Sequence, residues 1–453
     1  MDNKNLLKFI DDNEKNIISD LSGFVEIPSI SSDLDSVGKA LDYAIALGKR
    51  LGFKARSVLN NQVGIIEIGQ GDETIGILSH VDVVEPANID AWHTDPFKLV
   101  VKDGNLYGRG TMDDKGAIIA SLYAMKAVAE CGEPLKKKIQ MVLGTQEEVD
   151  WVDMNQYVKE FPLPDYGFTP DGEFPLCNIE KGMVDIPMYF PFRDETKADG
   201  KYLTFIDAGK VTNGVPGVCT ATVTSYKGGK VIDTTELKVD GKAVHSCQPE
   251  KGENAIFNMA KELATMGLQE NQLLTLVNMI YDNLGSMYGK EIGLYSESEF
   301  YKGEFVHRNV FSPTMLKMED DKVFINVNVR FAYGTSDKEI VEVFKCIARR
   351  YSGYLGKTDS MPAVYVSKDR PFMKAFGEAY EEATSRKHEF VLAFGGSYAK
   401  AMPNIVSWGP IFPDDEDTCH ADNEYISIKS LMDNGRIFAL ALGKVALREE
   451  PFR

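Results

Sequence analysis

The sequence predicts an α/β fold: a mixed sheet sandwiched by helices, interrupted by an inserted α+β domain. Three observations carry this reading. Short apolar runs such as Val63 to Ile68, Thr74 to Leu78 and Lys138 to Gly144 have the length and composition of buried strands. They alternate with helical spacing, first Ala40, Leu41, Ala44, Leu47 and Leu51, then Ala117, Ile118, Leu122, Ala124, Met125 and Val128. After about residue 184 the pattern changes to strand segments such as Val218 to Ser225, Val231 to Val239 and Val323 to Val329, interleaved with helix-like 252–268 and 337–350.

At 453 residues the chain exceeds what one hydrophobic core usually covers. We therefore divide it into 1–184, an inserted domain 185–366, and a return to the first domain over 367–453. Composition narrows the partners. A net charge of -18 repels nucleic acid and anionic membranes. No apolar run is long enough to span a bilayer. Met1 to Glu14 reads as an amphipathic helix rather than a secretory signal. The six cysteines are spread singly, without a Cys-x-x-Cys pair, which fits reduced thiols in a cytoplasmic protein.

The first domain places polar residues where its strands end. Ser79-His80-Val81-Asp82 follows the second strand, so that His80 and Asp82, if extended, face one side. A helix from about Lys115 begins after the glycine-framed turn Gly108-Arg109-Gly110-Thr111-Met112-Asp113-Asp114-Lys115-Gly116. Alone, a turn of that kind is more often a helix cap with a solvated charge pair. Lys138 to Gly144 leads into Thr145-Gln146-Glu147-Glu148. One of those two glutamates can bind a metal while the other carries a proton. Asp171 follows another strand-like segment, and His420 lies in Asp417-Thr418-Cys419-His420 before a last helix, 427–447. In open α/β sheets ligands gather at the carboxyl ends of strands, which gives this company of acids and histidines its meaning.

Two histidines with several carboxylates form a nitrogen and oxygen donor set for Zn²⁺, Mn²⁺ or Co²⁺. Two such ions sharing a carboxylate hold a hydroxide and polarise a carbonyl, which is hydrolytic chemistry. In the inserted domain, Gly241-Lys242-Ala243-Val244-His245 puts a polar histidine on a glycine-bounded turn, and Arg330 ends a strand. Gly395-Gly396-Ser397 is a small-residue turn whose N–H groups suit an anion such as a substrate carboxylate.

These motifs resemble the dinuclear metallopeptidase family of carboxypeptidase G, aminoacylases and succinyl-diaminopimelate desuccinylase, and in particular its bacterial PepV-type dipeptidases. The resemblance runs over nearly the whole chain. It rests on His80-x-Asp82, Trp92-x-x-Asp95-Pro96-Phe97, the Asp113 turn, Glu147-Glu148, Asp171, and Asp417-Thr418-x-His420-x-x-Asn423-Glu424. It implies one ion held by His80, Asp113 and Asp171, and a second by Asp113, Glu148 and His420. Zn²⁺ is the foremost candidate, with Mn²⁺ or Co²⁺ as alternatives. It further implies Glu147 as general base, Asp82 orienting His80, and His245 stabilising an oxyanion. Asn213 and Arg330 match lid positions that contact substrate, and Gly395, Gly396 and Ser397 match the turn that receives its carboxylate, although Ser397 and Lys400 depart from the commoner spelling. The expectation is a metal-dependent dipeptidase acting on small unblocked dipeptides through a hydroxide bound by the two metals. An N-acyl-amino-acid amidohydrolase is the close alternative, and a catalytically silent scaffold the remote one. A lid of about 180 residues resembles the enlarged lids of monomeric dipeptidases, so a monomer is expected, with a dimer as the alternative.

Overall fold

The computed structural model describes residues 3–86, 88–193, 195 and 197–453. The chain divides into two compact units, one comprising Met1–Ile179, Tyr365–Ala393 and Ser397–Arg453, the other Glu180–Val364 and Phe394–Gly396. Gly395 and Gly396, which the sequence groups with 367–453, thus cluster with the inserted unit. Met1 and Asp2, at the start of the expected amphipathic helix, lie outside the described residues. The helix itself, Asn3–Asp12, buries Leu6 and Ile10.

The first unit is built on a mixed sheet. Thr74–His80 pairs in parallel with both Lys138–Gly144 and Tyr166–Thr169, and Ile405–Ser407 continues the parallel run beside Tyr166–Thr169. Val63–Ile68 joins Lys138–Gly144 antiparallel, and Lys54–Val58 follows it, also antiparallel. The central strands are buried along nearly their whole length. That is why they read as continuous apolar runs rather than as alternating ones. Helix Leu34–Arg50 packs on the antiparallel side of the sheet, while Ile428–Ala446 packs against both Lys115–Ala129 and Pro371–Thr384. The first of these starts where Asp33 accepts a hydrogen bond from the Ser36 N–H, satisfying a donor that the helix itself leaves free. Register sets His80 opposite Gly144, so the loops after three parallel strands emerge along one edge.

The second unit is an antiparallel sheet in the order Lys230–Asp240, Val218–Lys227, Gly200–Ala208, Val310–Met318, Lys322–Phe331, Gly182–Pro191. Gly182–Pro191 alternates buried and half-buried residues, as a sheet with one covered face requires. Helices Ala255–Ala264, Gln272–Leu284 and Asp337–Arg350 supply Ile256, Val277, Ile280, Ile340 and Phe344 to its core. The sequence reading passes over the helix Gln272–Leu284, although Asn271 caps its start through the Leu274 N–H. No helix among the described residues is long and apolar enough to cross a membrane.

Candidate active site

The edge where the parallel strands end gathers the residues that the sequence singles out in this unit. His80 is fully buried, and its Nδ1 lies 2.9 Å from the backbone carbonyl of Asp82 and 3.4 Å from Asp82 Oδ1. A proton on Nδ1 satisfies that contact and leaves Nε2 as a bare lone pair. Nε2 points at Asp113 Oδ1, 3.0 Å away, and at Asp171 Oδ2, 3.9 Å away. Among the described residues neither His80 Nε2 nor Asp113 Oδ1 has a hydrogen-bond partner of suitable geometry, though both are buried. Acceptors that face each other in this way are what a cation would reconcile. The other oxygen of Asp113 lies 3.0 Å from His420 Nε2, which is also 3.1 Å from Glu148 Oε1. Asp113 thus stands between the two histidines.

The acids around it crowd one another. Burial, then the Asp171, Glu148 and Asp113 charges, pushes the Glu147 carboxyl well above its usual range. Burial and Asp113 do the same to Asp171, raised to about 8. Burial and Asp113 also raise Glu148. Asp113 is opposite: burial raises it, but where no cation lies between them its contacts with protonated His420 and His80 outweigh burial and hold it low. A divalent ion would relieve this repulsion, so the donor set fits the metals that its chemistry suggests. Two groupings place one donor atom from each member within 4.8 Å of the others: His80 with Glu147 and Asp171, and His80 with Asp113 and Glu148. The first includes Glu147, which the resemblance keeps for proton transfer.

Comparison with known proteins gives this arrangement its kinship: residues 76–444 match the model of peptidase family M20/M25/M40. The chain belongs to that family. It is accordingly a metallopeptidase hydrolase. Over 96% of its length it is 30% identical to "Putative dipeptidase YtjP" of Bacillus subtilis, covering 98% of that protein. It is 33% identical to "Putative dipeptidase SSP1012" of Staphylococcus saprophyticus, again over 96% of its length and 97% of the relative. The fold is shared with a solved dipeptidase, Dug1p of Saccharomyces cerevisiae, at TM-score 0.65 and 14% identity over 99% of both chains. Human carnosine dipeptidase 1 aligns at TM-score 0.64 and 16% identity over 98% of both.

In this M20 chain the supporting contacts of several residues escape the sequence reading. Glu424, fully buried, accepts from the N–H groups of Gly110, Met112 and Asp113 and pairs with Arg109 at 2.7 Å. It holds the turn that aims Asp113, and only folding brings its acid back across more than 300 residues. The Lys115 ammonium donates to the carbonyls of Phe24 and Ile27, pinning the start of the next helix. Asp114, whose part the sequence leaves open, accepts from the His80 N–H and so steadies the strand end. Asp82 does more than face His80. Its carboxylate accepts from the Glu147 and Glu148 N–H groups and from the Ser31 hydroxyl, so it fixes the loop that carries both glutamates.

Two glycines are required by contact. A Cβ on Gly116 would meet the Thr111 carbonyl oxygen at 2.1 Å, and one on Gly144 would meet the Tyr398 hydroxyl at 2.1 Å. Tyr398 is buried, and its hydroxyl donates to Asp153, which also accepts from the Thr145 N–H. Gly144→Ala should therefore displace a buried ring directly before Glu147. We expect a loss of about 1–3 kcal/mol in urea unfolding, with lower turnover. Unchanged stability would mean that Tyr398 yields freely.

Within the second unit, the remaining residues assemble around the His245 turn. Gly214 pairs with His245, and the Asn213 carbonyl accepts from the Ser246 N–H. Asn328 Oδ1 accepts from both the Ser246 hydroxyl and Arg330 Nε. Ser246 and Asn328 thus link the segments that carry Asn213, His245 and Arg330. His245 Nδ1 accepts from the Cys247 N–H, which places the proton of a neutral ring on Nε2. In the glycine turn, a Cβ on Gly395 would meet nothing within 4 Å, leaving room beside the backbone. Ser397, by contrast, is buried in the first unit, where its hydroxyl accepts from the Ala399 N–H.

Proposed function

We propose that the chain is a dipeptidase that hydrolyses small unblocked dipeptides. The observation that carries the reading is the Asp113 carboxylate, set at 3.0 Å from the inner nitrogen of each of two histidines. His80, Asp113 and Asp171 would hold one divalent ion, and Asp113, Glu148 and His420 the other, with Zn²⁺ ahead of Mn²⁺ or Co²⁺ for this mixture of imidazole and carboxylate. Bound there, the metals would supply Lewis acidity toward the scissile carbonyl and lower the pKa of a nucleophilic water. Glu147 takes the proton of the attacking water and returns it to the departing amine. Asp82 keeps the Glu147 and Glu148 backbone in place. His245 donates from Nε2 to the developing oxyanion. Asn213, Arg330 and the turn of Gly395, Gly396 and Ser397 receive the substrate's polar groups, and the inserted unit as a whole serves as the substrate lid.

The named dipeptidases among the relatives support a peptide substrate. Six cysteines spread singly through the sequence, without a Cys-x-x-Cys pair, favour a reducing compartment such as the cytoplasm. Dialysis against a chelator should abolish hydrolysis of dipeptides, and add-back of Zn²⁺, Mn²⁺ or Co²⁺ should restore it. Turnover of N-acetyl or N-succinyl amino acids with none of dipeptides would replace this reading by an acylase or desuccinylase. Hydrolysis indifferent to metal would overturn both.

A further inference from the structure

In the first unit, the loop from Thr145 to Trp151 carries Glu147, and two buried acids grip its backbone. Four successive N–H groups are each accepted by a carboxylate. Asp153 Oδ2 takes those of Thr145 and Gln146, and the two oxygens of Asp82 take those of Glu147 and Glu148. Asp82 and Asp153 are both fully buried. The strand Lys138–Gly144 ends just before, with Gly144 opposite His80, so the sheet ladder does not supply these acceptors. Asp82 already has a second task in facing His80. Asp153 has none in the roles above.

An acid in the first turn of a helix is common, because it offsets the free N–H groups and the positive end there. Asp153 does this with one oxygen: it stands in the first turn of Val152–Glu160, and its Oδ1 accepts from the Met154 N–H at 2.6 Å. Its other oxygen turns away from that helix, back to Thr145 and Gln146 and on to the Tyr398 hydroxyl at 3.2 Å. Trp151, in the left-handed region at φ 53°, makes the bend between loop and helix. Its N–H donates to the Gln146 carbonyl at 3.2 Å and its Nε1 to the Glu147 carbonyl at 2.6 Å, while its ring packs edge-on against Tyr398 at 5.0 Å. Asp153 therefore ties the start of the loop, the helix that follows it and Tyr398 to one carboxylate.

We infer that Asp153 is a positioning residue for Glu147, acting through the Thr145 and Gln146 backbone to hold the Glu147 carboxyl where it meets the water's proton. This rests on the proton-transfer role proposed for Glu147 and adds the residue that sets its place. A general base works only within hydrogen-bond reach of its proton, and a misplacement of about 1 Å costs about 10²-fold. The hydrogen bonds of Asp153 go to the Thr145, Gln146 and Met154 amides and to the Thr145 and Tyr398 hydroxyls, so substituting it removes no metal donor.

The test is a double-mutant cycle on the metal-loaded protein with Ala-Leu as substrate. Asp153→Ala should lower kcat by about 10²-fold, with KM within threefold of wild type and metal content unchanged. In Glu147→Gln the same change should cost less than threefold more, since a group that acts through Glu147 then has nothing left to position. An equal loss in both backgrounds, a lost ion, or full activity of Asp153→Ala would overturn the assignment. If Asp153→Ala fails to fold, Asp153→Asn carries the same cycle, with a loss of about tenfold that should likewise vanish in Glu147→Gln. Should dipeptides prove inert while N-acetyl amino acids react, the dipeptidase reading fails on its own and the cycle is run on N-acetyl-Leu. Should Glu147→Gln stay fully active, the proton-transfer role fails on its own, and hydrogen exchange read by mass spectrometry decides about Asp153. The 145–148 amides should exchange at least tenfold faster in the Asp153 variant than in wild type, with those of helix Pro371–Thr384 unchanged. Equal exchange at 145–148 would overturn the positioning role.

Discussion

Glutamine in place of Glu147 should leave metal content at the wild-type level and lower kcat by about 10²–10⁴-fold, the range that a positioned proton-transfer group contributes. The change keeps the side chain's volume and its place on the loop. That loop is fixed independently of the carboxylate, because Asp82 accepts from the Glu147 N–H and the Glu147 carbonyl accepts from Trp151 Nε1. What the substitution removes is the ability to take a proton. The result also decides between two readings of the geometry, since Glu147 has an oxygen near donors of His80 and Asp171. Were Glu147 a ligand, metal analysis of Glu147→Gln would show fewer ions together with the lost turnover. Full metal content with lost turnover assigns it to proton transfer, and retained turnover removes it from the mechanism.

Asp113→Ala should empty both metal positions at once, lowering the affinity for each ion by more than the roughly 10–100-fold that changes in surrounding partners cost. Its carboxylate stands between His80 and His420, one oxygen toward each. Without it, the two histidines and the outlying acids would form two separate and incomplete sets. Glu148→Ala, which removes the carboxylate 3.1 Å from His420 Nε2, serves as the comparison and should release one ion. Metal analysis by mass spectrometry reads both variants. One ion retained per chain in Asp113→Ala would show that the carboxylate serves a single position.

Much of this was legible in one dimension, for physical reasons. A strand buried on both faces must be a continuous apolar run, so Thr74–His80 and Lys138–Gly144 announced themselves. In open α/β sheets ligands gather where such runs end, which marks His80, Glu147, Glu148 and Asp171 as candidates by position as well as by type. The matched family model covers the stretch that carries all of them. Elements that pack on one face gave a fainter signal, and the helix Gln272–Leu284 went unread.

The sequence by itself determined the fold class and the reaction family and marked the candidate donors, because each depends on residue type and local spacing. Only the tertiary structure decided how those atoms are held. Nothing near Glu424 tells that its carboxylate caps the Asp113 turn, and nothing near Asp82 that it grips the backbone of two glutamates. Those contacts join residues far apart in the chain, and their energy exists only once the backbone between them has been ordered.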